Sequence, residues 1–149
     1  MSENYVSTKV IEMGSCAFRQ WKAMSHCSRI HGYQLTAKFW FTAKALDERQ
    51  WIFDFGALDE LKKQLTDTFD HTLVVDAADP ELDTFVELNN RGVVDLRIFP
   101  EGVGIERTAE YCWKLADTFV RKVSNDRVRC VQVEVFEHPK NSAIYKVES

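Results

Sequence analysis

The segment YQLTAKFWFTAKA, residues 33–45, sets the fold of this 149-residue chain. Its odd positions carry Tyr, Leu, Ala, Phe, Phe, Ala and Ala, whereas its even positions carry Gln, Thr, Lys, Trp, Thr and Lys. A strand turns successive side chains to opposite faces of its sheet, so this period of two predicts a long strand with one buried face. A less regular strand is predicted from about Val6 to Phe18, joined to the first as an antiparallel neighbour by the loop 19–30.

Two long helices are predicted downstream of this hairpin. Apolar residues recur at spacings of three and four over residues 58–69, which is typical of an amphipathic helix, and Asp54 stands where it can cap that helix. The second helix is predicted to begin near Thr108 as its N-cap and to run to about residue 123. A short extra helix is predicted within residues 79–91.

Strands at 131–137 and 143–147 complete the pattern, with a short strand at 93–99 between the helices. The main elements therefore follow in the order ββααββ. We expect one α+β domain over residues 1–149, with an antiparallel four-stranded sheet that carries both long helices on one face. Its long exposed edges favour association into a homo-oligomer.

Net charge, apolar runs and cysteine spacing argue against several classes of protein. The net charge of −4 argues against a protein that wraps nucleic acid phosphates. The sequence shows neither an apolar run of roughly 18 residues nor a charged-then-apolar leader, so we expect a cytoplasmic protein without membrane contact. The four cysteines, Cys16, Cys27, Cys112 and Cys130, form no CxxC pair, and free thiols are expected.

Two short segments contain residue types that carry out acid–base chemistry. Cys27 lies among His26, Arg29 and His31, and a thiol reacts or transfers protons as a thiolate, which a nearby cation or imidazole favours. The alternative is a buried cysteine beside an ordinary loop histidine. The pair at residues 70–71, Asp followed by His, can hold an imidazole tautomer, or can be a polar pair that ends a helix.

Two carboxylates complete the candidates. Glu137 continues the apolar alternation of residues 131–135, which places it towards the interior, where a guanidine-like edge could bind it bidentately. The alternative is that the strand ends earlier and Glu137 reaches solvent. Glu110 lies in the first turn of the second helix, where acidic residues are common because of the helix dipole.

Five landmarks in order resemble the family of 6-pyruvoyl- and 6-carboxy-tetrahydropterin synthases over nearly the whole chain. The landmarks are Cys27-x3-His31-Gly32-Tyr33 for Cys-x3-His-Gly-His, Trp51-Ile52-Phe53-Asp54-Phe55-Gly56 for V-x-D-F, Phe69-Asp70-His71 for Leu-Asp-His, Arg107-Thr108-Ala109-Glu110 for Pro-Thr-x-Glu, and Val135-Phe136-Glu137 for the terminal glutamate. The resemblance implies the tunnelling fold (T-fold), in which sheets pair into a barrel, typically as a hexamer with active sites between subunits.

The resemblance also implies an activity. The expected enzyme is a lyase that acts on 7,8-dihydroneopterin triphosphate and gives a 6-pyruvoyl- or, in the queuosine pathway, a 6-carboxy-tetrahydropterin. Cys27, Asp70 and His71 would form its catalytic triad. Glu137 would anchor the pterin ring, with Thr108 and Glu110 helping around it.

The metal site departs from the family pattern. The family binds zinc through three histidines, and this sequence has Phe18, His31 and Tyr33 at those positions, so only His31 is kept. A phenyl ring cannot ligate, and a neutral phenol is a poor zinc ligand beside imidazole. Two alternatives remain: a rebuilt zinc site from Cys16, His26 and His31, or a metal-free protein whose rings fill the metal pocket.

Three functions are compatible with these residues. The first is the pterin lyase. The second is a pterin or purine binder of altered specificity that has lost the zinc chemistry. The third is a structural oligomer, which the combination of thiol, Asp-His pair and glutamate argues against, because packing alone does not require that set. The segment 79–104 is longer than the usual family connection, and we expect it to reshape the pocket mouth or a subunit contact.

Overall fold

The computed structural model describes residues 4–148 as six strands and three α-helices. The strands are β1 (Ser7–Phe18), β2 (His31–Ala43), β3 (Thr72–Asp76), β4 (Leu96–Phe99), β5 (Val128–His138) and β6 (Asn141–Lys146). The helices are α1 (Asp59–Phe69), α2 (Leu82–Asn90) and α3 (Ile105–Val123). The predicted period-two strand is confirmed as β2, whose core-facing positions from Leu35 to Ala43 are buried.

The sheet has six strands in the order β4-β3-β1-β2-β5-β6, so the predicted four-stranded antiparallel sheet and the order ββααββ are wrong. The four predicted strands do form an antiparallel unit, β1-β2-β5-β6. To it, β3 adds in parallel beside β1 through Cys16 and Ala17, and β4 adds in parallel beside β3. Parallel neighbours need a crossover, and α2 supplies it between β3 and β4.

Strand β3 was missed because its sequence, TLVVD, has no period of two. Val74 packs into the main core beneath α1 and α3, whereas Leu73 and Val75 pack on the other face against Phe85 of α2. A strand that is buried on both faces reads as a continuous apolar run, and periodicity cannot identify it. The segment 79–104 thus contributes a helix on the second face of the sheet.

The main core lies between the sheet and the two long helices, which share one face as predicted. Phe39 and Phe41 of β2 are fully buried and stack with their centroids 6.2 Å apart. Leu61 and Leu65 of α1 close the core from above. Over residues 4–148, no helix is long and apolar enough to cross a membrane.

Two local features shift residues from their predicted places. The β2–β5 ladder slips between Trp40 and Phe41, so the half-buried Val131 is an extra residue, and Cys130 takes the buried position before Val133. Helix α3 begins at Ile105, after Gly104 with φ of +122°, so the prediction of Thr108 as N-cap is wrong. Asp54 does accept a hydrogen bond from the Gly56 N–H, as cap of a 3-10 turn that leads into α1.

Candidate active site

Three rings meet where β1 ends and β2 begins. Phe18 lies directly opposite His31 in the ladder, and the ring centroids of Phe18, His31 and Tyr33 are 5.2–5.8 Å apart. The His31 Nδ1–H donates to the Arg29 carbonyl at 2.7 Å, which leaves Nε2 as the open nitrogen. We call these three residues the aromatic cluster; they occupy the three positions where the family resemblance places zinc ligands.

Cys27 lies beside this cluster in the 3-10 turn His26–Ser28. Its N–H donates to the Ser25 hydroxyl at 3.3 Å, and its carbonyl accepts from the Gln20 N–H at 2.9 Å. The Gln20 side chain donates in turn to the Val103 carbonyl at 2.6 Å, just before α3. The turn that carries the half-buried thiol is therefore fixed both to β1 and to the start of α3.

A buried ion pair holds the same loop from its other side. The Arg19 guanidinium donates twice to the Asp79 carboxylate, at 2.9 and 2.5 Å, and once to the Ser28 carbonyl at 3.1 Å. The Asp79 side chain is 1% exposed. Hydrogen bonding from Arg19 holds the pKa of this carboxyl below its usual value, since the bonds favour its charged form.

Glu137 and Tyr33 line one cavity of about 560 Å³. The cavity opens where the β2–β5 ladder ends, at the pair Thr36–Phe136, so the two strands splay apart beyond it. Glu137 is half-buried and lies at a second irregularity of β5, where the register with β6 shifts between Phe136 and His138. The pKa of the Tyr33 phenol is raised, first by its burial and then by the charges of Glu137 and Cys27.

Asp70 and His71 form a separate site on the far side of β1. Asp70 Oδ1 accepts from the Ser15 N–H at 3.0 Å and from His71 Nδ1 at 2.9 Å, and the His71 N–H donates to the Ser15 carbonyl at 2.6 Å. Gly14 makes room for this carboxylate, because a Cβ there would overlap Asp70 Oδ1. We call Gly14, Ser15, Asp70 and His71 the Asp–His corner.

Thr108 and Glu110 lie on the first turns of α3. Thr108 is buried, and its N–H makes the helical bond to the Gly104 carbonyl. Glu110 pairs with Arg107 at 3.0 Å and with Lys114 at 3.9 Å, and it lines a second cavity of about 450 Å³. Neither residue lines the cavity of Tyr33 and Glu137.

The structure therefore places Glu137 on the same cavity as Tyr33 of the aromatic cluster but leaves the predicted triad divided. Among residues 4–148, the Cys27 thiol makes no hydrogen bond or ion pair with Asp70 or His71. Cys16 of β1 lies between Tyr33 of β2 and Thr72 of β3, and two strand spacings separate such neighbours by about 10 Å. His71 itself points outward, with 85% of its side chain exposed.

The residues present do not fit a zinc ion. Within the described range 4–148, no three His, Cys, Asp or Glu side chains converge as metal ligands, so the rebuilt site of Cys16, His26 and His31 is not formed. The Cys16 thiol contacts Thr72 instead, and burial raises its pKa to about 11. One imidazole beside two carbocyclic rings falls short of the three protein ligands that catalytic zinc sites use.

Sequence reasoning missed the residues that hold the site. Gly14 interrupts a strand pattern, and an isolated glycine in a strand is a signal for a bulge or a close approach, which could have located the Asp–His corner. Gln20 and Asp79 have no comparable signal, because their partners lie 60 to 83 positions away in sequence.

Comparisons with known proteins show similarity in sequence and in fold. The chain is 25% identical over 136 residues to a 6-carboxy-5,6,7,8-tetrahydropterin synthase of Aquifex aeolicus, covering 88% of this chain and 82% of that protein. A Wolinella succinogenes structure of uncharacterised function superposes with a TM-score of 0.81 at 18% identity, covering 97% and 98% of the two chains. The 6-pyruvoyl tetrahydropterin synthase of Caenorhabditis elegans superposes with a TM-score of 0.67 at 18% identity, over 97% and 96%.

The Wolinella succinogenes and Caenorhabditis elegans structures show the fold alone. The family is shown by a match between the sequence and a family model. The family model described as 6-pyruvoyl tetrahydropterin synthase matches residues 9–148, almost the whole chain. The low identities to individual relatives mark this protein as a divergent member. The chain belongs to the 6-pyruvoyl tetrahydropterin synthase family.

Proposed function

We propose that this protein is a pterin lyase that converts 7,8-dihydroneopterin triphosphate into a 6-carboxy- or 6-pyruvoyl-tetrahydropterin with loss of triphosphate. The observation that carries the proposal is that Glu137 and Tyr33, a member of the aromatic cluster, line one cavity of about 560 Å³. That volume lies in the range of small-molecule sites. The Aquifex aeolicus relative is a synthase of this class.

Glu137 is proposed to anchor the pterin ring. Its carboxylate can accept two parallel hydrogen bonds from the amino group and ring N–H of a pterin, the arrangement that gives both strength and orientation. Among the described residues Glu137 has no hydrogen-bond partner, so its oxygens are available to a ligand. Thr108 and Glu110 lie outside this cavity in one subunit, so their help around the ring is proposed to come from a neighbouring subunit.

Cys27 is proposed to move the proton. In an elimination, a base removes a proton from a side-chain carbon, the C–O bond to triphosphate breaks, and its electron pair leaves with the triphosphate. A thiolate is a competent base for this step when a neighbouring imidazole or cation stabilises it. The hydrogen bonds that fix the turn His26–Ser28 would hold the thiol in place during the transfer.

Asp70 and His71 are proposed to act across a subunit interface. The Asp–His corner is rigid and its imidazole is exposed, so it can be offered to the Cys27 of a neighbouring subunit in a homo-oligomer. Asp70 would fix the imidazole orientation through its contact with Nδ1, which leaves Nε2 for proton exchange. A hexamer, with active sites between subunits, is the assembly we propose.

Two matched variants test this function. Cys27→Ala should abolish product formation while pterin affinity stays within about threefold of wild type, since the thiol acts in chemistry. Glu137→Gln should weaken pterin binding by at least about tenfold, because losing a charged acceptor costs about 1.5–3 kcal/mol. Glu134→Gln, on the same strand but outside the cavity, serves as control. Unchanged pterin binding in Glu137→Gln would contradict the proposal.

The second candidate function is a pterin or purine binder of altered specificity. It is favoured by the aromatic cluster, which has replaced two of the three family zinc positions and so removes the expected Lewis acid. Such a protein would bind a pterin in a Glu137-dependent way and release no triphosphate. Turnover by wild type that Cys27→Ala abolishes would exclude it.

A further inference from the structure

The Tyr33 hydroxyl lies on the cavity of about 560 Å³ and has no role in the proposed function. Its ring is fixed on two sides by Phe18 and His31, with centroids 5.8 and 5.2 Å away. The hydroxyl makes no hydrogen bond with any residue in the described range 4–148, although it shares the cavity with Glu137. A packed phenol whose hydroxyl has no partner is a preorganised group for a ligand.

The surroundings of Tyr33 determine what this hydroxyl can do. Burial and the nearby charges of Glu137 and Cys27 raise its pKa, so the phenol keeps its proton at neutral pH. A protonated phenol can donate its hydrogen to the oxygen of a ligand. Such a donor stabilises negative charge that develops on a carbonyl oxygen during reaction.

We propose that the Tyr33 hydroxyl donates a hydrogen bond to an oxygen on the side chain of a pterin whose ring Glu137 holds. This inference rests on the proposed function and extends it. Glu137 binds the amino group and ring N–H of the pterin, and the Tyr33 phenol binds the oxygen-bearing substituent. Tyr33 would thereby be a catalytic residue, providing at the reacting oxygen a neutral hydrogen-bond donor in a site whose residues do not fit a metal.

The separate roles of Glu137 and Tyr33 define the class of ligand. A reduced pterin with a carbonyl, carboxylate or hydroxyl substituent at position 6 satisfies both groups. A reduced pterin without that substituent satisfies only Glu137. The difference in affinity between the two ligands therefore reports on Tyr33 alone.

The test measures the affinities of 6-carboxy-tetrahydropterin and of unsubstituted tetrahydropterin, without oxygen, for wild type and Tyr33→Phe. The variant removes one oxygen and keeps the ring contacts. Tyr33→Phe should bind the 6-carboxy compound about tenfold more weakly, which is about 1.4 kcal/mol, and the unsubstituted compound equally well. Its kcat on dihydroneopterin triphosphate should fall about 100-fold, the loss typical of one removed oxyanion donor.

Tyr145→Phe is the matched control, since its ring packs on Trp113 at 5.2 Å, outside the cavity, and it should change neither affinity nor kcat. If wild type binds both pterins and Tyr33→Phe weakens both equally or neither, the role of Tyr33 is overturned and the proposed function stands. If wild type binds neither compound, the proposed function fails and the inference fails with it.

Discussion

The aromatic cluster and the Asp–His corner lie four residues apart on the same strand, and they have been built in opposite ways. At Phe18 the strand contributes a ring that packs on His31 and Tyr33. At Gly14 the strand has no side chain, so the Asp70 carboxylate can lie against the backbone and accept a hydrogen bond from the Ser15 N–H. One region packs three rings against one another, and the other holds a polar network.

The difference teaches which parts of the site are constrained by the fold. The Asp–His corner ties the end of α1 to β1 through backbone groups, so a change there disturbs the sheet as well as the chemistry. The aromatic cluster is held by contacts between its rings and by one hydrogen bond from His31 to the Arg29 carbonyl, so Phe18 and Tyr33 can be exchanged with less effect on the fold. Substitutions in the two regions should therefore act on different properties.

The largest expected effect comes from placing histidines at two positions of the aromatic cluster. Phe18→His combined with Tyr33→His places three imidazoles around one point, the ligand set of a catalytic zinc site. Zinc affinity should rise about 1,000-fold over wild type, which is about 4 kcal/mol, measured by titration calorimetry.

Adding His31→Ala to the double variant should remove most of that gain, because two imidazoles remain. A double variant that binds zinc no better than wild type would show that these three positions do not converge as the ring distances indicate.

The Asp–His corner should respond through stability. Gly14→Ala places a Cβ against Asp70 Oδ1 at a φ of +106°, so the carboxylate must move and its bonds are lost. We expect a loss of about 3 kcal/mol in the free energy of unfolding, measured by urea denaturation.

Gly102→Ala is the control for backbone strain. Gly102 has the same φ of +106°, and the methyl carbon of an alanine there would lie 4.0 Å from its nearest heavy atoms, which is ordinary contact. This variant should cost about 1 kcal/mol. Equal losses in the two variants would mean that the contact with Asp70 contributes nothing.

A smaller effect is expected at the ion pair that holds the Cys27 loop. Asp79→Asn should cost about 2 kcal/mol at neutral pH, because the buried acceptor of Arg19 loses its charge. Arg19 lowers the folded-state pKa of Asp79 below its ordinary value of 3.8, so wild type gains stability above that pH.

The stability difference between wild type and Asp79→Asn should therefore be full above about pH 4 and shrink as the pH falls through the folded-state pKa. Thermal unfolding of both proteins across the acid range checks this sign. A difference that grows towards low pH would contradict the assignment.

The smallest stability effect is expected at Glu137. It has no hydrogen-bond partner among the described residues, so Glu137→Gln should change the free energy of unfolding by less than about 0.5 kcal/mol. Chemical denaturation measures this directly. A large loss would assign Glu137 a structural role and weaken the case that it is kept for a ligand.

Much of this arrangement could be predicted from the sequence. The period of two fixed β2, and the motif spacing placed Phe18, His31 and Tyr33 at corresponding ligand positions, which the ladder then brings within ring contact. The alternation along β5 predicted the buried positions Val133 and Val135, but irregularities at Val131 and Glu137 interrupt it, and the inward orientation of Glu137 stays a prediction.

The remainder depends on contacts that sequence patterns do not encode. Strand β3 is buried on both faces, so its apolar run carries no period. The start of α3 depends on the φ of Gly104 rather than on Thr108. The distance between Cys27 and the Asp–His corner follows from how β1 separates β2 from β3, which no local pattern reveals.

The central claim is that this site processes a pterin with the aromatic cluster in place of a zinc site. The most direct measurement incubates chelator-treated, metal-analysed wild-type protein with 7,8-dihydroneopterin triphosphate and identifies the products by mass spectrometry. We predict triphosphate together with a 6-carboxy- or 6-pyruvoyl-tetrahydropterin, at a rate that added zinc does not change. Product formation only with stoichiometric zinc, or no turnover under either condition, would contradict the claim.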